Sequence, residues 1–140
     1  MAKTFKLEVI SPERKFYEGE VEMVIIHTVE GEEGFEAGHT PACMMMDIGE
    51  LRIYEPGRKL VRAVTTDGFA DFSRLGMVVF VSEAMWPDEI DQTGFADRKK
   101  ELKDKISHPK DYDQAVIDRF SNELRLITVQ EKVASKNTKR

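Results

Sequence analysis

The chain has 140 residues, 41% of them hydrophobic and 34% charged, with a net charge of -5. That is enough to bury one moderate core with a small appendage. It also argues against several classes: no apolar run approaches the roughly 20 residues of a bilayer-crossing helix, and the first residues show neither a signal-peptide nor a transit pattern, so no leader is expected. A single cysteine, Cys43, rules out an internal disulfide and fits a reducing, cytoplasmic compartment. It is expected to be a small buried hydrophobe rather than a catalytic thiol. Residues 1–87 hold nine Lys and Arg against fifteen Asp and Glu, while residues 88–140 hold twelve against eleven. The acidic first part lacks the clustered basic face of a nucleic-acid binder.

Phe5, Leu7 and Val9 alternate with Thr4, Lys6 and Glu8, the period-two pattern of a half-buried strand. Ser11-Pro12-Glu13-Arg14 breaks it, and a short piece runs from Lys15 to Gly19. Val21, Met23 and Ile25 alternate next, with Val24 and Ile26 on the other face, as in a strand buried on both sides. Glu30 to Gly49 carries four glycines, Pro41 and His39, and reads as turn punctuation inside a β domain. No Gly-Lys-Ser/Thr ends this stretch, so it is not a phosphate loop. Leu51 and Ile53 continue a strand to the turn Glu55-Pro56-Gly57-Arg58, and Lys59–Thr66 returns. Asp67-Gly68 is a turn or bulge, and Ser73-Arg74-Leu75-Gly76 turns into Met77–Glu83. About seven strands at this spacing predict an antiparallel sandwich or barrel.

The pattern changes at Trp86-Pro87, where proline ends the last strand. Asp88-Glu89 sets acid at an expected helix N-terminus, and a helix is predicted from there to Ile106 with Ile90, Phe95, Leu102 and Ile106 as its apolar stripe. Ser107-His108-Pro109 interrupts it. A second helix is predicted over about Asp111–Ala134, carrying Tyr112, Ala115, Val116, Phe120, Leu124 and Ile127 on one flank. Two such helices form an antiparallel hairpin, and stripes this thin need a partner surface. The tail cations Lys132, Lys136, Lys139 and Arg140 face Glu131 alone, and a solvated terminus is the plain reading.

His27, His39 and His108 show no metal-ligand spacing, and no Ser/His/Asp, Cys/His or paired-carboxylate set accompanies them. No catalytic residue and no metal are therefore assigned.

A β module over residues 1–86 followed by a helical hairpin over residues 87–140 resembles the epsilon subunit of F-type ATP synthases. Six blocks carry the resemblance in order: Leu7 to Glu13 with Ser11-Pro12, Phe16-Tyr17-x-Gly19-x-Val21, Glu30-Gly31-x-x-Gly34-x-x-x-Gly38-His39-x-Pro41, Gly49-x-Leu51-x-Ile53, Gly68-Phe69, and Glu83-x-x-Trp86-Pro87-Asp88-Glu89-Ile90-Asp91. The resemblance implies a non-catalytic central-stalk subunit that couples ion flow through the c-ring to ATP synthesis in the alpha–beta head. It also implies a peripheral position on the cytoplasmic side of a bacterial plasma membrane. Its implied partners are the gamma subunit, the c-ring and, through the hairpin, the alpha and beta subunits, without membrane insertion. Glu30, Gly31, Glu32, Glu33, Gly34, Phe35 and His39 are then expected at the c-ring, and Ser11, Met44 and Met46 at gamma. Arg119, Arg125, Lys132 and Lys136 are expected to serve the hairpin's control of ATP hydrolysis. The alternative is a generic β-sandwich adaptor with an appended hairpin.

Ile90 and Asp91 match the start of the family's nucleotide motif, but Gly94-Phe95 stands where that motif has arginine and alanine. Glycine offers no phosphate contact and costs about 1 kcal/mol of helix propensity. Arg98, one turn on, is the sole substitute, so weak or absent ATP binding and no resident cofactor are expected.

Overall fold

The computed structural model describes residues 3–136; Met1, Ala2 and residues 137–140, including the tail cations Lys139 and Arg140, lie outside the described residues. Ten strands precede two helices: β1 (Phe5–Ile10), β2 (Lys15–Val21), β3 (Met23–Thr28), β4 (Gly31–Glu36), β5 (Ala42–Met46), β6 (Gly49–Glu55), β7 (Lys59–Thr65), β8 (Gly68–Ser73), β9 (Gly76–Val81), β10 (Ala84–Met85), α1 (Phe95–Ile106) and α2 (Gln114–Lys136). The strands form one hydrogen-bonded sheet in the order β10-β7-β6-β3-β5-β8-β9-β1-β2, with β4 added beside β3. It folds over a common core of alternate side chains such as Leu7, Val9, Val24, Ile26, Leu51, Ile53, Val79 and Trp86. Pairing is antiparallel except between β1 and β9, which run parallel through Leu7↔Met77 to Ile10↔Phe80.

Three expectations are corrected. The Gly-rich stretch is not all turn, because β4 and β5 lie inside it. Gly31-Glu32-Glu33-Gly34 has little strand propensity of its own, and pairing with β3, from Met23↔Glu36 to Thr28↔Gly31, supplies what local preference does not. In β3 the core side is Val24, Ile26 and Thr28, while Met23, Ile25 and His27 are half-buried; Glu22 bends the chain and resets the alternation after Val21. The first helix begins at Phe95 rather than near Asp88. Pro87–Glu89 forms only a 3-10 turn, and the side chain of Asp91 accepts the Thr93 amide at 2.9 Å. Gly94 then takes φ +84°, a left-handed conformation that no helix continues through.

Two glycines are fixed by space. A Cβ on Gly68 would lie 1.8 Å from the Phe80 carbonyl oxygen, and one on Gly49 would lie 2.4 Å from the His27 Cβ. These close approaches occur at the ends of the paired strands, where Gly68 of β8 faces β9 and Gly49 of β6 faces β3.

Candidate interaction surfaces

On the outer face of the sheet, strand register aligns Met45 with Phe69, Phe69 with Phe80, and Phe80 with Ile10. Met45, Phe69 and Phe80 are exposed by 65%, 44% and 39%, values that mark an unburied apolar row rather than a core edge. The Phe69 and Phe80 rings touch at a centroid distance of 5.1 Å. A shallow cleft of about 350 Å³ beside them is lined by Ile10, Pro12, Phe69 and Phe80 among others. Strand alternation decides membership. Met44 is half-buried and packs on the core, and Met46 is buried, so neither side chain belongs to this face. Cys43 and Met45 point outward instead, which corrects the expectation of a buried cysteine. Ser11 sits at the end of β1, nearly buried, with its hydroxyl donating to the Arg14 carbonyl at 3.3 Å.

The residues expected at the c-ring divide along β4. Glu30 is exposed in the β3–β4 turn, where the Thr28 hydroxyl accepts the Glu30 amide and donates to the Gly31 carbonyl. Gly31 takes φ +119° there, which a side chain would strain. Glu32 accepts a hydrogen bond from Arg52 at 2.7 Å, Glu33 is half-buried, and Gly34 is exposed. Phe35 turns inward, 1% exposed and stacked on Phe72, so its ring has no free surface to offer a partner. His39 follows the far end of β4, about 20 Å from Glu30 by strand rise. Its ring packs against Phe35 and Phe72, and its Nδ1 lies 2.6 Å from the Thr40 carbonyl oxygen.

The hairpin lies folded against the β module. Within it, Arg98 donates to both oxygens of Glu123, at 2.5 and 2.8 Å, and pairs with Glu101 at 3.0 Å. These carboxylates raise the Arg98 pKa and engage its whole fork. Glu123 is pulled below the usual carboxylate range, first by the Arg98 hydrogen bonds. Lys99 pairs with Glu131 at 2.7 Å, and Leu102 is fully buried. Ile90 is half-buried and Asp91 exposed in the linker, where Asp91 is occupied by Thr93. Arg98, one turn beyond the incomplete nucleotide motif, is therefore already bound by carboxylates.

Between α2 and the β module, Arg125 donates to both oxygens of Asp47, at 2.9 and 3.0 Å. That pairing, more than the Ile48 amide, holds the Asp47 carboxyl below its ordinary range. Lys136 lies 3.9 Å from Glu50, which Arg62 also meets at 2.8 Å. Gln130 donates to the Met85 sulfur at 3.0 Å. Arg119 and Lys132 are exposed and make no ion pair among the described residues. The four cations expected to act in regulation thus divide into two that hold the hairpin down and two that face solvent. Asp47 and Glu50, their acidic partners, escaped the sequence reading because they lie on a turn and a strand 78 and 86 residues from them.

Among the described residues, no helix is long and apolar enough to cross a membrane. The beta-sandwich domain of the ATP synthase Delta/Epsilon chain matches residues 4–87. The ATP synthase epsilon chain of Caldicellulosiruptor saccharolyticus is 34% identical over 128 residues, 88% of this chain and 93% of the relative. That of Ruminiclostridium cellulolyticum is 43% identical over 88 residues, 63% of this chain and 65% of the relative. A chain of the Euglena gracilis mitochondrial ATP synthase, solved with OSCP, F1 and c-ring, superposes with a TM-score of 0.80 at 26% identity, covering 92% of this chain and 80% of that one. A chain of the Tetrahymena thermophila mitochondrial ATP synthase, from its central stalk and c-ring, shares the fold with a TM-score of 0.62 at 10% identity. With the ten-stranded module, the docked hairpin and the ordered motifs in agreement, the chain belongs to the epsilon-chain family of F-type ATP synthases, as a non-catalytic subunit of the rotor.

Proposed function

We propose that the β module, residues 1–86, grips the gamma subunit through the exposed row of Met45, Phe69 and Phe80, flanked by half-buried Ile10, and stands on the c-ring. The hairpin, residues 87–140, is the regulatory unit. The apolar row is the observation that carries the reading. Three large apolar side chains in register on one sheet face leave water only when another protein covers them. The packed core behind the row makes the module stiff enough to transmit torque. Glu30 and Glu33 at the head of β4 offer carboxylates to basic or polar loops of the ring, with Glu32 steadied by Arg52. The work is done peripherally, at the cytoplasmic side of a bacterial plasma membrane.

Co-purification with gamma tests the reading. Phe69→Asp and Met45→Asp place charge in the row without touching the core, so the folded chain should survive. A loss of affinity of about 100-fold is expected for the pair. Undiminished capture of gamma by the folded double variant would exclude this face. For the hairpin, a chain ending at Trp86 reconstituted into the complex should raise the rate of ATP hydrolysis. An unchanged rate would remove the regulatory role.

A further inference from the structure

The surface between α2 and the β module is built unlike either core. Three polar contacts cross it: Arg125 with Asp47, Lys136 with Glu50, and Gln130 with Met85. Between these points lies an open groove of about 610 Å³, lined by Ile48, Gly49, Leu124 and Val129 as well as Arg52 and Lys132. Apolar side chains across such a gap forgo much of the dispersion energy that close packing provides. The groove also borders polar atoms that the docked state leaves without hydrogen-bond partners. Glu50 Oε1 and Arg52 Nε are buried without a hydrogen bond, although Arg52 Nη1 lies 3.7 Å from Glu50 Oε1, and Arg62 Nε and Thr65 Oγ1 on β7 are likewise without one. Departure of the helix hydrates the groove wall, which favours release. Buried Ile127 and Val133 on α2 oppose release together with the charge pairs, and of these contacts only the charge pairs answer to salt. Asp47 is 28% and Arg125 48% exposed in the side chain, so salt reaches them.

We propose that the Asp47–Arg125 pair, seconded by Glu50–Lys136, is an electrostatic latch that sets the balance between docked and released hairpin, making that balance sensitive to ionic strength. Its regulatory meaning rests on the hairpin's proposed role, but the latch itself does not. It is independent of nucleotide, because Arg98 is held by Glu123 and Glu101 within the hairpin. A protein anion or dissolved salt that competes for Arg125 releases the helix, while buried Leu102 between the helices resists salt.

The test measures the distance between two nitroxide labels on the full chain, one on the native exposed Cys43 and one on Ser135→Cys near the end of α2. Raising salt from about 0.05 to about 1 M should lower the docked-to-released ratio by about three-fold. Arg125→Asp should produce a release at low salt, and the swap Asp47→Arg with Arg125→Asp should restore docking. A distance distribution indifferent to salt and to Arg125→Asp would overturn the latch. So would failure of the swap to restore a docking that Arg125→Asp had lost. If the latch responds as expected while the chain ending at Trp86 leaves hydrolysis unchanged, the latch stands and the regulatory reading falls.

Discussion

The indole of Trp86 lies flat on the ring of Phe16, with centroids 4.1 Å apart and planes 19° apart. Trp86 is the last core residue of the β module, 2% exposed, and the next residue begins the turn toward the hairpin. Its amide donates to Glu89 at 2.8 Å, and Arg14 reaches the same carboxylate at 2.7 Å while lying over the Phe16 ring. The root of the hairpin is therefore nailed to the module, and the irregular Ile90–Gly94 segment is where the two can part. Trp86→Ala should destabilise the chain by about 3–5 kcal/mol, as for other buried aromatics. Trp86→Phe should cost less. Denaturant titration followed by far-UV circular dichroism checks both, and a loss below 1 kcal/mol for the alanine variant would contradict the anchoring role.

Gly68 has no room for a side chain, since a Cβ there would run into the Phe80 backbone. Backbone yields less easily than a flexible side chain. Gly68→Ala should therefore cost about 3 kcal/mol or more, at the upper end of overpacking. Gly57→Ala, at φ +85° in an open turn, carries only the conformational penalty of about 1–2 kcal/mol. Thermal melts of the two variants should rank in that order.

Lowering pH should loosen the hairpin before it unfolds the module. The folded-state pKa values of Glu123 and Asp47 are depressed, chiefly by hydrogen bonds from Arg98 and Arg125. A depressed carboxyl contributes stability that is present above its ordinary pKa and is lost as pH falls through the lower folded value. The ordinary values are 4.5 for Glu123 and 3.8 for Asp47, so the loss begins near them and grows below. Label distances between module and hairpin, recorded alongside circular dichroism, should change first. Glu123→Gln should remove its share of the pH dependence.

Calorimetric titration with ATP should show no site tighter than about 1 mM. Arg98, one turn beyond the incomplete motif, already has two carboxylates on its fork, Arg14 is paired with Glu89, and phosphate would have to displace these partners. Micromolar binding would mean that the hairpin rearranges to free Arg98.

Much of this was legible in the chain itself. Alternation in Phe5–Val9, the Pro56-Gly57 turn and the Trp86-Pro87 stop are local signals, and each marks a real boundary. The helix break at Ser107–Pro109 is equally local, because proline cannot continue the ladder. These features follow from φ limits, missing amides and side-chain period, which need no distant partner. Motif order was likewise a property of the sequence and sufficed to suggest the family.

Tertiary structure alone decided the rest. β4 is a strand only because β3 lies beside it, and the methionine run divides inside from outside only once β5 is set against β8. Phe35 is core because the sheet folds over it, although Gly34 and Glu36 on either side are exposed. The pairing of Asp47 with Arg125 depends on where a helix comes to rest across a sheet. Nothing in local preference encodes such contacts, since they arise from register and docking between segments far apart in the chain.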